Sequence, residues 1–374
     1  MKNVQTSDRA GSLGRCGRHF LQVLLFLSIL YLAEWGLSLL LSKEPSSWGR
    51  RILNQMYQKG TIDVCFVGGS QVLQGIDCNT ASELLGGNVV NLTSSQQPPA
   101  ATAALVQEVL NEHPEISQIY VSLDYSLVMT DDVNLESIYI VADAMKPSLN
   151  KLRFLRKATP EEYYVNSFLP LRKGESYARS FGDIKSNIQT VLSSEYRNRT
   201  AVNGFADNEG MSAESYQALA AEYADGSKDQ RLSEVVSEET LDAADNAEQE
   251  HAVDSREDAA KEGSAVTLPE RSLEAIEDII AACSENGTEL VFFASPMPEF
   301  LTDSVLDYDA YVQTVAALVH AEGLMYYDYN SELSDTPAES VAAFDRNAAE
   351  NFTDEYHLSG DGARQFTKLL LSGN

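Results

Sequence analysis

Short apolar segments alternate along this chain with longer segments of helical periodicity. Strands joined by helices form mainly parallel sheets that helices cover on both faces. The sequence therefore predicts an α/β fold around a mainly parallel five-stranded sheet, with working residues at the carboxyl ends of strands. The apolar segments that read as strands are residues 62–67, 88–92, 116–123, 289–294 and 324–328. The helical segments are residues 71–85, 98–111, 269–285, 308–322 and 359–371.

The longest apolar run lies near the start of the chain, at residues 20–42. As an α-helix it would reach roughly 35 Å, which is enough to cross a bilayer. Basic residues precede it, so the N-terminus should stay in the cytoplasm. A cleaved signal peptide is the alternative, although the run is longer than a usual signal sequence and is followed by no convincing cleavage site. We expect a retained signal anchor.

This anchor divides the chain into parts of different character. We expect residues 1–19 to form a cytoplasmic tail, residues 43–59 a connector, and residues 60–374 an extracytoplasmic domain. Within that domain, residues 130–204 read as a helical insertion. Residues 205–262 hold 17 Asp and Glu against 4 Lys and Arg. The second stretch is therefore expected to be an acidic, solvated insertion, and whether it is disordered is left open.

The charge of the chain limits its partners. A net charge of −29 argues against binding to nucleic acid through general attraction to phosphate. A basic cluster between residues 151 and 179 could bind an anionic polymer or lipid headgroups. Nearby acids such as Glu161 and Glu162 could instead neutralise it, and we favour that interpretation. The cluster consists of Lys151, Arg153, Arg156, Lys157, Arg172, Lys173 and Arg179.

A buried strand runs into a serine near the start of the predicted domain. Residues 64–70 read VCFVGGS, so Ser70 follows the first strand and begins a helical segment. Gly68 and Gly69 permit a tight turn and a close approach of substrate. The free N–H groups at the start of a helix favour an oxyanion. Ser70 is a candidate nucleophile, and a plain turn is the simpler interpretation.

An aspartate stands three residues before a histidine near the end of the chain. Residues 352–358 read FTDEYHL, which places Asp354 and His357 on one side of a turn, just before the final helix. A histidine activates a serine by accepting its proton, and a carboxylate orients the histidine. Asp354 or Thr353 could instead cap the final helix. Taken together with Ser70, the pattern favours a catalytic triad.

The remaining side chains indicate no cofactor. The other histidines lack a setting of clustered Asp or Glu, so the sequence predicts no metal site. No Gly-x-Gly-x-x-Gly loop follows the first strand, as a dinucleotide site would require. Cys65 and Cys283 read as small buried hydrophobic residues. A disulfide between Cys65 and Cys78 is left open.

At these residues the chain resembles the SGNH, or GDSL-like, hydrolase superfamily. The resemblance covers roughly residues 60–125 and 270–372, and the stretch NLTSSQQP at residues 91–98 is similar to the second sequence block of that family. It implies a flavodoxin-like three-layer fold with Ser70 as nucleophile, His357 as base and Asp354 as the orienting acid. It also implies an oxyanion site, for which the candidates are Ser70, Ser95 and Gln96.

The chain departs from the family pattern at the residues that stabilise an oxyanion. Gly69 stands where the first block usually has aspartate, and no glycine is evident in the second block. The asparagine of the third block is missing from residues 123–126, which read LDYS. Removing one oxyanion donor costs a few kcal/mol of transition-state stabilisation. The sequence therefore favours slow hydrolysis, or transfer to a bound acceptor, over a fast general esterase.

A single anchor followed by such a domain is similar to cell-envelope members of the superfamily. Examples are the D-alanyl-transfer proteins of teichoic acid synthesis and the O-acetylation proteins of exopolysaccharide assembly. The resemblance implies a serine esterase or O-acyltransferase that modifies an envelope polymer beside a membrane-bound O-acyltransferase. The alternatives are a non-catalytic relative that binds polymer or docks to the acyltransferase, and a plain flavodoxin-like ligand-binding module.

Overall fold

The computed structural model describes residues 7–41, 52–58, 60–130, 134–168, 205–233 and 266–372, with residues 182, 184, 185, 188 and 189. The chain divides into two compact units. One unit combines Met1–Ser47 with Glu161–Asn198, and the other combines Trp48–Pro160 with Arg199–Asn374. The second unit holds the sheet and is called the α/β domain.

The strands with defined bounds form one parallel sheet in the α/β domain. They are β1 (Val64–Gly68), β2 (Val89–Thr93), β3 (Gln118–Ser122), β4 (Glu289–Ala294) and β5 (Tyr326–Asp328). Their order is β2-β1-β3-β4-β5, and every neighbouring pair is parallel. The order reverses between β1 and β3, as in flavodoxin-like doubly wound folds. The predicted α/β fold with a five-stranded sheet is confirmed.

Side chains of each strand alternate between two faces of the sheet, and both faces are buried. Cys65 and Val67 of β1 belong to one core, whereas Val64 and Phe66 belong to a second core on the opposite face. In the second core, the ring of Phe66 stacks on the ring of Tyr120 with 4.6 Å between centroids. Continuous apolar strands are therefore explained by burial on both sides.

Helices cover both cores. In chain order, the α-helices with defined bounds are α1 (Ser7–Leu41), α2 (Gln55–Gln58), α3 (Ser70–Gly75), α4 (Cys78–Leu85), α5 (Pro99–Glu112), α6 (Tyr125–Val128), α7 (Leu135–Ala144), α8 (Leu149–Ala158), α9 (Glu161–Phe168), α10 (Ala213–Tyr223), α11 (Glu270–Asn286), α12 (Glu299–Asp303), α13 (Tyr308–Ala321), α14 (Ala338–Ala343) and α15 (Gly360–Ser372). Helices α5 and α11 pack together over one core, and α3, α4 and α15 pack over the other.

One predicted helix is divided in two. The segment at residues 71–85 forms α3 and α4, because Ile76 and Asp77 have extended backbone angles. The Asp77 carboxylate accepts a hydrogen bond from the Asn79 N–H and so caps α4. The Asp77 N–H donates to Thr367 Oγ1 of α15 at 3.0 Å. This hydrogen bond therefore links the turn between α3 and α4 to α15.

Parts of the predicted connector and insertions belong to the α/β domain. Leu53 and Met56, which lie in the predicted connector, are buried in its core. The predicted insertion at residues 130–204 contributes α7 and α8, which pack near α5. Within the predicted acidic insertion, residues 205–233 include α10, and their backbone forms hydrogen bonds with loops of the domain. Residues 234–262 lie outside the described residues.

The other unit contains the described helices α1 and α9. Helix α1 includes all of the predicted anchor segment except Ser42. Among the described residues, no helix is long and apolar enough to cross a membrane.

The described cysteines of the α/β domain are buried thiols rather than a disulfide. Cys65, Cys78 and Cys283 are all buried, and no disulfide joins Cys65 to Cys78 in the described part of the chain. The Cys78 thiol instead donates to Asn91 Oδ1 at 3.0 Å. Burial raises the pKa of the Cys283 thiol to about 12, which keeps it protonated at neutral pH. The assignment of Cys65 and Cys283 as small buried residues agrees with this burial.

Candidate active site

Ser70 lies at the carboxyl end of β1, beside the point where the strand order reverses. The two glycines before it pack closely against neighbouring side chains. A Cβ atom on Gly68 would lie 2.6 Å from Val72 Cγ2, and one on Gly69 would lie 2.6 Å from Leu127 Cδ1. Gly69 has a φ of −80°, which any residue can adopt. The glycines therefore let the loop that carries Ser70 approach its neighbours closely.

The three residues of the predicted triad lie in hydrogen-bonding contact. Ser70 Oγ lies 2.8 Å from His357 Nε2, although the two residues are 287 positions apart. His357 Nδ1 lies 2.9 Å from both carboxylate oxygens of Asp354. An ionised carboxylate can only accept, so His357 Nδ1–H donates to Asp354 and Nε2 is left to accept the Ser70 hydroxyl proton. This is the tautomer that general-base catalysis requires.

The Asp354 carboxylate is held in its ionised form. Its partial burial raises its pKa, but hydrogen bonds and charge from His357 and the backbone N–H groups of Tyr356 and His357 outweigh burial and lower the pKa below its usual value. Those backbone N–H groups donate to Asp354 Oδ1 at 2.8 and 2.9 Å. Solvent partly screens the contact between Asp354 and His357, because 43 % of the Asp354 side chain and 20 % of the His357 side chain are exposed.

A short loop fixes the positions of Asp354 and His357. The Thr353 N–H donates to the His357 carbonyl at 2.9 Å, and an isolated bridge joins Phe352 to Leu358. Ser359 then caps α15, because its Oγ accepts from the Gly362 N–H at 3.1 Å. The capping role that the sequence left open for Asp354 or Thr353 is therefore filled by Ser359.

A pocket of about 660 Å³ opens beside Ser70 and His357. Segments that follow β1, β2 and β3 form its walls together with the loop before α15, as expected at the carboxyl edge of a doubly wound sheet. Most of its lining side chains are polar, which suits a ligand rich in hydroxyl groups. The lining residues are Ser70, Gln71, Gln96, Pro98, Asp124, Ser126, Leu127, Thr130, Asn134, Tyr356 and His357.

The two oxyanion candidates after β2 are placed differently. Gln96 lines the pocket, whereas Ser95 is absent from its lining and its carbonyl accepts from Ser137 Oγ at 3.1 Å. Gln96 has a φ of +48° and is alone in this conformation among the described residues other than glycine. Its side chain accepts a short hydrogen bond from Asn134 Nδ2. A left-handed non-glycine residue at a pocket wall marks a site where local strain is tolerated.

Asp124 lies within residues 123–126, where the sequence lacks the asparagine of the family's third block, and the structure places it in the pocket wall. It follows β3, so the rule that working residues lie at strand carboxyl ends could have found it. Its side chain is buried, and burial raises its pKa above the usual range despite hydrogen bonds from Ser126 and the nearby His357.

Gln71 also lines the pocket and carried no signal in the sequence. The residue is buried, and its Nε2 atom has no hydrogen-bond partner in the described part of the chain. An unpaired buried amide directly after Ser70 costs free energy.

The basic cluster lies away from this pocket and is partly neutralised. Lys157 Nζ lies 2.6 Å from Asp278 and 3.9 Å from Glu274, both on α11. Lys151 Nζ donates to the Met145 carbonyl at 3.4 Å. Arg153 and Arg156 are exposed on α8. Arg172, Lys173 and Arg179 lie outside the described residues.

Comparison with known proteins adds no relative. The chain matches no protein-family model and no curated protein. The contacts among its own residues therefore carry the functional argument.

The contact between His357 and Asp354 predicts a change in acid–base behaviour. Replacing His357 with Ala removes hydrogen bonds and charge that lower the Asp354 pKa, so that pKa should rise. Carbon NMR of carboxyl-labelled protein measures it, with Asp354→Asn used to assign the signal. A His320→Ala variant is the matched control, because His320 contacts Asp335 instead. An Asp354 pKa that stays the same in His357→Ala would contradict the geometry.

Proposed function

We propose that this protein is an SGNH-like serine esterase or O-acyltransferase that acts outside the cytoplasm on an envelope polysaccharide or polymer. The observation that carries the proposal is the continuous contact from Ser70 Oγ through the His357 imidazole to the Asp354 carboxylate. A hydroxyl, an imidazole and a carboxylate in this order form the nucleophile, base and orienting acid of acyl transfer, on whatever fold they occur.

In the proposed reaction, Ser70 Oγ attacks the carbonyl carbon of an acyl ester while His357 Nε2 takes its proton. The tetrahedral intermediate collapses, and the leaving alcohol takes the proton from His357. Water or a polymer hydroxyl then attacks the Ser70 acyl ester, again with His357 as base. Asp354 stays ionised throughout, which fits its lowered pKa, and it stabilises the imidazolium that forms in each step.

The side chains that line the pocket offer hydrogen-bonding groups to a polar acceptor. Its volume of about 660 Å³ lies within the usual range for small-molecule sites. Amide and hydroxyl side chains of Gln71, Gln96, Ser126 and Asn134 line it, and these groups suit the hydroxyls of a sugar. We therefore keep a polysaccharide or other hydroxylated polymer as the substrate class, with a membrane-bound O-acyltransferase as a candidate partner.

The alternative is a non-catalytic relative that binds polymer or docks to an acyltransferase. The basic cluster would be its binding surface, but the ion pairs of Lys157 with Asp278 and Glu274 reduce the charge that the cluster offers. This alternative predicts that Ser70→Ala and His357→Ala retain full function in cells. The contact between Ser70 and His357 favours the enzyme.

A serine-directed fluorophosphonate should label Ser70 in the folded protein. Labelling should disappear in Ser70→Ala, and its rate should fall by about 10²–10⁴-fold in His357→Ala because the general base is lost. Ser95→Ala is the matched control, since this exposed serine lies in the loop after β2 and should leave the rate unchanged. Gel fluorescence and peptide mapping measure the labelling. Equal labelling of wild type and Ser70→Ala would defeat the enzyme proposal.

The proposed location outside the cytoplasm depends on a signal anchor at residues 20–42, and that anchor rests on the sequence alone. The full-length protein should stay in the membrane fraction after carbonate extraction, whereas a variant that starts at residue 46 should be released. A cysteine-free version with a single cysteine at an exposed position, such as Arg156→Cys, should react with an impermeant maleimide on intact cells. Reaction only after the cells are broken would contradict the orientation.

A further inference from the structure

Asp124 is a buried acid beside the nucleophile to which the triad mechanism gives no role. It follows β3, and it lines the same pocket as Ser70 and His357. Its side chain has a relative exposure of only 6 %. An ionised carboxylate in this position would repel the negative charge that forms on the acyl oxygen during attack. A neutral carboxylic acid there could instead donate a hydrogen bond to that charge.

The two carboxyl oxygens of Asp124 have different surroundings. Oδ1 accepts hydrogen bonds from the N–H and the hydroxyl of Ser126, each at 3.0 Å. No donor among the described residues reaches Oδ2. This division suits a carboxylic acid whose carbonyl oxygen is Oδ1 and whose hydroxyl oxygen is Oδ2, because the O–H then remains available to a ligand in the pocket.

The titratable neighbours of Asp124 do little to stabilise an anion. The nearby groups come from its own helix α6 (Tyr125), from α13 (Tyr311), from the end of β5 (Asp328) and from the loop before α15 (Tyr356 and His357). None of them is a lysine or an arginine, and Asp328 is a second buried carboxyl. Burial is the largest effect and raises the Asp124 pKa. The hydrogen bonds from Ser126 and the charge of His357 lower it in part, and Asp328 makes a smaller contribution that raises it.

We propose that Asp124 is a further catalytic residue, which in its neutral form donates a hydrogen bond from Oδ2 to the oxyanion of the reacting acyl group. This inference rests on the proposed function of Ser70. Carboxylic acids that burial keeps neutral act as oxyanion donors in other enzymes. In this chain the acid would supplement the backbone N–H of Ser70.

The step is balanced without net proton transfer from Asp124. Ser70 Oγ forms a bond to the carbonyl carbon, its proton moves to His357 Nε2, and the carbonyl π electrons move onto oxygen. The Asp124 O–H donates to that oxygen and keeps its proton. When the carbon–oxygen double bond re-forms, the leaving alkoxide departs with the proton from His357.

The role of Asp124 can be tested by the pH dependence of acylation. The burst of nitrophenol from p-nitrophenyl acetate, measured with the full-length protein in detergent, gives the acylation rate, and Ser70→Ala supplies the blank. The wild-type rate should fall as pH rises through the Asp124 pKa. The alkaline loss follows because only the protonated form of Asp124 can donate.

Two variants separate donation from other roles. Asp124→Asn keeps a donor at every pH, so its rate should lose the alkaline fall and exceed the wild-type rate at high pH by tenfold or more. Asp124→Ala should be slower at all pH values by about 10²–10³-fold, which is the usual effect of removing an oxyanion donor. Circular dichroism checks the fold of each variant, since Oδ1 also caps α6.

Other outcomes would overturn the inference in distinct ways. If Asp124→Asn keeps the wild-type alkaline fall, Asp124 is structural. If Asp124→Asn is inactive at every pH although folded, the residue acts as an anion, for example toward a cationic substrate group. If neither variant folds, infrared spectroscopy of the wild type tests the inference instead. The band of a protonated carboxyl must disappear over the same pH range in which the acylation rate falls. Absence of Ser70-dependent acylation in wild type would instead defeat the proposed function itself.

Discussion

The hydrogen bond between the Ser70 hydroxyl and the His357 imidazole joins residues from the two ends of the α/β domain, and the candidate site depends on this contact. Ser70 is placed by β1, and His357 by a loop that is anchored on α15. Helix α15 packs on α3 and α4, and Thr367 accepts a hydrogen bond from the Asp77 N–H. The ordered start of the acidic insertion adds a further connection, because Ala206 pairs with Leu73 and Met211 pairs with Phe352.

The surroundings of two carboxyl groups near one histidine shift their pKa values in opposite directions. Asp354 is partly exposed and receives several hydrogen bonds, so its pKa is lowered. Asp124 is buried near a second acid, so its pKa is raised. Environments that push two pKa values apart allow one acid to act as an anion and the other as a neutral donor. In the mechanism that we propose, this division lets Asp124 donate a hydrogen bond to the oxyanion although its side chain carries no amide.

Much of the fold and part of the site could be predicted from the sequence. The strands were predictable to within about two residues because both faces of the sheet are buried. Local patterns also indicated that Ser70 follows the first strand and that Asp354 and His357 precede the last helix. The split of residues 71–85 carried a signal in Asp77, a common N-cap residue. The placement of residues 205–233 carried no signal in the sequence, because it depends on backbone contacts with distant loops. The pairing of Lys157 with Asp278 is likewise long-range, across 121 residues.

The most direct test of the account is to identify the residue that carries the acyl group during turnover. The protein is mixed with p-nitrophenyl acetate, quenched in acid within the burst phase, and digested for mass spectrometry. The account predicts one acetyl group, on Ser70, in the peptide that spans the end of β1 and α3. Acetylation of other residues only, or a burst that persists without modified Ser70, would contradict it.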